Sequence, residues 1–138
     1  MKTNNNEMQI RAKKDKIIVI VGDTEYELHY SFRIYIMYET ITGHNLDFGN
    51  LNTTDLLVLL YSSVLATFQY NKVEHTMKYE DFMNMIDDCG GEYLLTSFAN
   101  WFVKKMQQQA ELLQANDEEK EDKKKSLKKT KKETTKNN

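Results

Sequence analysis

The stretch that most restricts this chain is 53–68, TTDLLVLLYSSVLATF, in which Asp55 is the only charged residue. Leu57, Leu60, Tyr61, Val64, Leu65 and Phe68 recur at helical spacing and form one wide apolar stripe. Leu56 and Leu59 add a second apolar edge where a surface helix would be polar, so this helix needs cover on two sides. It falls short of a membrane span, which takes roughly 20 apolar residues, and Ser62, Ser63 and Thr67 interrupt it. The chain therefore folds around a buried central helix. Thr53 or Thr54 is its expected cap, Asp55 suits the positive end of its dipole, and it ends near Tyr70.

The cover comes from both sides in sequence. Residues 1–15 are polar and charged and read as a flexible N-terminal arm. KIIVIV, from Lys16 to Val21, is a β-branched strand, and Gly22-Asp23 suits a type II′ turn. Tyr26, Leu28 and Tyr30 then alternate with Glu25, Glu27 and His29, the period of a strand with one packed face. A lone hairpin is marginal in water, so its apolar face must lie on helices. Ser31 caps the first of these, which runs to about Thr42 and stops at Gly43. Phe32, Tyr35, Ile36 and Thr40 are its expected inward stripe. Ile34, Met37, Tyr38 and Ile41 leave it apolar nearly all round, so it is either sandwiched or presents a sticky face. Leu46, Phe48 and Leu51 anchor the loop that follows.

Beyond the central helix, Tyr79, Phe82, Met83 and Ile86 give a clean stripe to a short helix from about Lys78 to Asp88, with Thr76 as its cap. Cys89-Gly90-Gly91 breaks it. A last helix from Glu92 to about Leu113 turns Leu95, Phe98, Phe102 and Met106 inward, with Trp101 beside them. Leu112 and Leu113 have little local company and suit a partner. From Asn116 onward Leu127 is the one apolar residue, too little to offset a backbone ordering cost of roughly 1–2 kcal/mol per residue. The fold class is thus mainly α (α+β): a single domain over 16–115, with about four helices preceded by an N-terminal β-hairpin, and a Lys/Glu-rich tail over 116–138 that is disordered or at most an extension of the last helix packing on nothing.

Charge is unevenly distributed along the 138 residues. Val21–Asn100 carries twelve acids against Arg33, Lys72 and Lys78, a net of −9, whereas residues 1–20 and 116–138 each carry a net of +3. An acidic body lies between two basic ends. Cys89 is the only cysteine, so no intrachain disulfide is implied. The opening MKTNNNEMQIRAKK has no apolar run behind its charges, which points to the cytoplasm rather than secretion.

Catalytic constellations are absent from the pattern. His29, His44 and His75 lack metal-ligand spacing with one another, with Cys89 or with Asp87-Asp88. Ser62 and Ser63 sit on an apolar helix without the strained turn that exposes a nucleophile. Gly90-Gly91 stands among acids and reads as a helix stop rather than an anion site. The Lys-rich tail interleaves acids and has no aromatic residue for base stacking, so nucleic acid is not the expected partner. Seven methionines suit a core, and equally an adaptable binding surface. The residues favour a binding module that needs neither cofactor nor metal.

The order of elements resembles a known family. A strand ending in YELHYS leads into a helix closed by Glu39, Thr40, Ile41, Thr42 and Gly43, followed by LYSSVLATF and YEDFMNMIDD. Over residues 17–100 this is similar to the tail assembly chaperones of long-tailed bacteriophages and prophages. The resemblance implies a non-enzymatic chaperone of the host bacterial cytoplasm, absent from the finished virion. It implies binding to the long helical tape measure protein, transfer of that protein to polymerising tail tube protein, and self-association. Members are mostly helical, and many are also made in a longer, frameshifted form. On this reading Tyr35, Tyr38, Trp101, Leu112 and Leu113 are the exposed residues that take a partner helix. Two other readings stay open: a small nucleic-acid-binding regulator using the basic ends, and a structural tail or head-completion protein. Gene context separates them, because a very long helix-rich gene just downstream favours the chaperone.

Overall fold

A computed structural model of the chain describes residues 7–136, with side chains as far as Ala115. Three strands, β1 (Met8–Lys13), β2 (Lys16–Val21) and β3 (Thr24–Glu27), precede four helices, α1 (Phe32–Thr42), α2 (Thr53–Tyr70), α3 (Tyr79–Asp88) and α4 (Gly91–Lys136). A 3-10 turn covers Phe48–Asn50. The chain divides into two compact units, Met1–Phe102 and Val103–Asn138. The first holds the sheet, α1 to α3 and the start of α4. The second holds the rest of α4.

The sheet is antiparallel, in the order β1-β2-β3, so the expected hairpin gains a strand at its outer edge. Part of the segment taken as a flexible arm is therefore ordered: Met8 pairs with Val21, Ile10 with Val19 and Lys13 with Lys16. Residues 1–6 of that segment lie outside the described residues. The register explains why this polar strand forms. Met8, Ile10 and Ala12 fall on the face that carries Ile17, Val19 and Tyr26, and Ile10 is buried. The other face carries Arg11, Ile18 and Glu27 in one row and Gln9, Ile20 and Glu25 in the next. Ile18 is nonetheless buried, because long charged side chains flank it on both neighbouring strands. Ion pairs Lys13–Glu25 and Lys16–Glu27 on this face are exposed, at 3.6 and 3.8 Å, and contribute little. Gly22 has φ 60 while Asp23 keeps a negative φ, the pattern of a II′ turn rather than I′.

Helix α2 is the buried centre, as its composition requires. Leu59, Leu60, Val64, Ala66 and Phe68 are buried, and so are Ser62, Ser63 and Thr67. Their hydroxyls are satisfied within the helix, donating to the carbonyls of Val58, Leu59 and Ser63 at 2.8 Å. Thr67 Oγ1 also accepts the His29 backbone N–H at 3.0 Å, tying the chain after β3 to α2. Tyr26 meets Phe68 edge-on at 6.4 Å, setting the sheet's inner face on the same turn. The cap of α2 is Asn52, one residue before the expected threonine, accepting from the Asp55 N–H at 2.8 Å.

Helix α1 packs on α2, and Gly43, with φ 78, closes it by donating its N–H to the Glu39 carbonyl. Its buried residues are Ile34 and Tyr38, which turns the expected stripe round: Phe32 and Ile36 face outward. Ser31 occupies the cap position without making a cap hydrogen bond. Helix α3 starts after Lys78 rather than Thr76, again without a side-chain cap, and its Phe82 packs on Tyr61 of α2 at 5.0 Å. Helix α4 does not stop near Leu113. It continues as helix to Lys136 through a Lys- and Glu-rich sequence of high helix propensity. Asn137 and Asn138 lie outside the described residues.

Candidate functional site

Two of the five expected partner-binding residues, Tyr35 and Trp101, belong to an aromatic cluster inside the first unit. Phe102 of α4 stacks on Phe48 at 5.3 Å and meets Tyr30 at 5.3 Å and Tyr35 at 6.0 Å. Trp101 lies against Phe98 at 5.8 Å and edge-on to Tyr30 at 6.3 Å, only 5% exposed. It is a core residue, not a surface anchor. Tyr38 is fully buried beside His44, ring centroids 5.6 Å apart, and is likewise no contact for a partner. Burial, and secondarily the Asp55 charge, raises its phenol pKa. Tyr35 is half-buried, its hydroxyl hydrogen-bonded to that of Tyr30. Burial pushes the Tyr30 phenol well above 10.0, and its contact with Tyr35 adds to the rise. The physical reason for the correction is packing: an aromatic ring in a small domain is its largest source of buried area, so the cluster closes on itself.

Leu112 and Leu113 are exposed, 61% and 58%, on the α4 segment of the second unit. In the first unit the exposed large apolar residues are others. Phe32 is 76% and Ile36 51% exposed, one turn apart on α1, and Tyr93 is 72% exposed on α4. Periodicity did not reveal Phe32 and Ile36, because α1 is apolar nearly all round and either face could have been turned inward. Glu39 and Thr40, the polar residues one turn beyond Ile36, were the available signal.

A groove runs along β1, the edge strand of the sheet. Consecutive residues Glu7 to Arg11 line one wall, as only the edge of a strand can, and α3 supplies the other through Asp81, Asn84, Met85 and Asp88. These recur at i, i+3, i+4 and i+7, one face of the helix. The groove encloses about 560 Å3. A second hollow of about 300 Å3 shares Met8, Asp81 and Met85 with it and is lined further by Val21, Phe68, Met77, Glu74, His75 and Thr76. Burial lowers the His75 pKa, and its ring lies 5.0 Å from Phe68. The lining is methionine and aromatic, and the rim is acidic.

The histidines are separately engaged with rings: His29 stacks on Tyr70 at 3.8 Å, His44 meets Tyr38, and His75 meets Phe68. Cys89 donates to the Met85 sulfur at 3.6 Å. Among the described residues no group of His, Cys, Asp and Glu is placed to hold a metal ion. No helix among them is long and apolar enough to cross a membrane. Comparison of the chain with protein-family models, with curated proteins and with solved structures finds no match.

Proposed function

We propose that this protein is a tail assembly chaperone of a long-tailed bacteriophage or prophage, working in the host bacterial cytoplasm by binding rather than catalysis. Its client is the tape measure protein, whose apolar helical stripes it shields until tail tube protein polymerises around them. The sequence resemblance over residues 17–100 is the starting point. The observation that carries the reading is the surplus of large apolar side chains on outward helical faces. Phe32 and Ile36 on α1, and Leu112 and Leu113 on α4, lie more than half exposed. Scattered single apolar residues are ordinary on a surface, but adjacent pairs on helices suit capture of an amphipathic helix.

The binding residues are therefore revised to Phe32, Ile36, Leu112 and Leu113, with Tyr35 at the margin of the α1 pair. The test is co-expression with the product of a long, helix-rich gene of the kind this reading places just downstream. The chaperone should keep that protein in the soluble fraction, and the double substitution Phe32→Ser, Ile36→Ser should diminish this while leaving the chaperone's own melting temperature within a few degrees. A client equally soluble with and without the chaperone would sink the proposal.

A further inference from the structure

We propose that the groove between the β1 edge and α3 is a docking site for an extended peptide segment that carries large apolar side chains alongside Lys or Arg. This inference stands apart from the chaperone reading, which uses other surfaces. Three observations converge on it. The first is backbone geometry. Lys13 pairs with Lys16 across a two-residue turn, and Gly22 N–H donates to the Glu7 carbonyl at 3.0 Å. Glu7, Gln9, Arg11 and Lys13 thus direct their backbone groups to β2, and Met8 and Ile10 direct theirs to the open edge. An unpaired strand edge is a template for a further strand.

The second observation is lining. The smaller hollow has methionines on both sides, Met8 from the strand and Met77 and Met85 from the chain around α3, over the ring of Phe68. Unbranched, polarisable side chains adapt to varied apolar occupants. An extended segment pairing with β1 would direct alternate side chains toward this floor. The third is charge. Glu7, Glu74, Asp81 and Asp88 rim the two hollows against Arg11, and none of the four carboxylates makes an ion pair among the described residues. An acidic rim around an apolar floor selects a basic, apolar strand and rejects an acidic one.

The experiment is methyl NMR of the full chain labelled at its methionine methyls, titrated with an acetylated octapeptide of alternating Lys and Val. The Met8, Met77 and Met85 signals should shift while those of Met37, Met83 and Met106 hold. The double substitution Asp81→Asn, Asp88→Asn, on exposed side chains, should weaken binding about ten-fold with the dispersion of the spectrum retained. A Glu–Val octapeptide, and a Lys–Val octapeptide N-methylated along its backbone, should give no response. Absence of shifts at the three methionines overturns the proposal, as does an equal response to the Glu–Val peptide. Shifts at those methionines on raising protein concentration alone would assign the groove to a second copy of this chain and overturn it equally.

Discussion

The Tyr38 hydroxyl is buried and has no hydrogen-bond partner, although its ring is among the largest fully buried side chains. Leaving such a group unsatisfied costs about 1–3 kcal/mol, whereas the ring itself stabilises the domain by its area. The two contributions can be separated. Tyr38→Phe should raise the free energy of unfolding by about 1 kcal/mol, and Tyr38→Ala should lower it by about 3–5 kcal/mol, both read by urea denaturation. A destabilised Tyr38→Phe variant would show that the hydroxyl is held after all. The contrast with Thr67 is instructive, since that hydroxyl both donates to Ser63 and accepts from His29 and so is satisfied where it is buried. From sequence alone, Tyr38 and Trp101 read as surface anchors. An aromatic with a polar tip is equally at home inside and outside, and only its neighbours decide. The neighbours of Trp101, Tyr30 and Phe98, come from separate elements that no local pattern brings together.

At the scale of elements, the end of α2 shows a left-handed residue that is not glycine. Lys72 has φ 57, its N–H donates to Gln69, and the Val73 N–H donates to Phe68 at 2.8 Å. This pair of bonds is the Schellman closure, in which the left-handed position is normally glycine. A side chain there costs roughly 1–2 kcal/mol, part of which glycine returns through unfolded-state entropy. Lys72→Gly should therefore stabilise the protein by about 0.5–1 kcal/mol, visible as a raised thermal midpoint; a fall would mean that the lysine stem packs usefully on the helix end. The strong elements were legible in the residues. KIIVIV declared β2, the long apolar stripe declared α2, and the stripe of Phe82 and Ile86 declared the face of α3. Strand β1 was not, although Met8, Ile10 and Ala12 alternate with Gln9, Arg11 and Lys13. One strong apolar residue in six cannot announce a strand by itself; β1 is held by pairing with β2. The groove was hidden for the same reason, since it exists only once that edge is in place.

At the scale of the whole molecule, tyrosine links folding to alkaline pH. Tyr30, Tyr38, Tyr61 and Tyr79 all have phenol pKa values raised above 10.0, with burial the first cause in each. They are spread through the first unit. Tyr30 sits in the α4 cluster and Tyr38 on the inner face of α1, while Tyr61 and Tyr79 meet edge-on at 5.2 Å between α2 and α3. A phenol whose folded pKa exceeds its unfolded value holds its proton more tightly when folded. Above pH 10 the unfolded chain sheds protons that the folded one retains, so stability is full below that pH and falls as pH rises through it. The groups act in the same direction, and the Tyr30 shift is the large one among them. Ionisation of the buried tyrosines and loss of helix should accordingly come together in one transition above pH 10, followed by tyrosinate absorbance and far-UV circular dichroism on the same sample. Tyr79→Phe, which removes a buried hydroxyl without a partner, should move that transition to higher pH. If all the tyrosines ionised near pH 10 while the helical signal stayed unchanged, the aromatic cluster would not be coupled to folding in the way its burial implies.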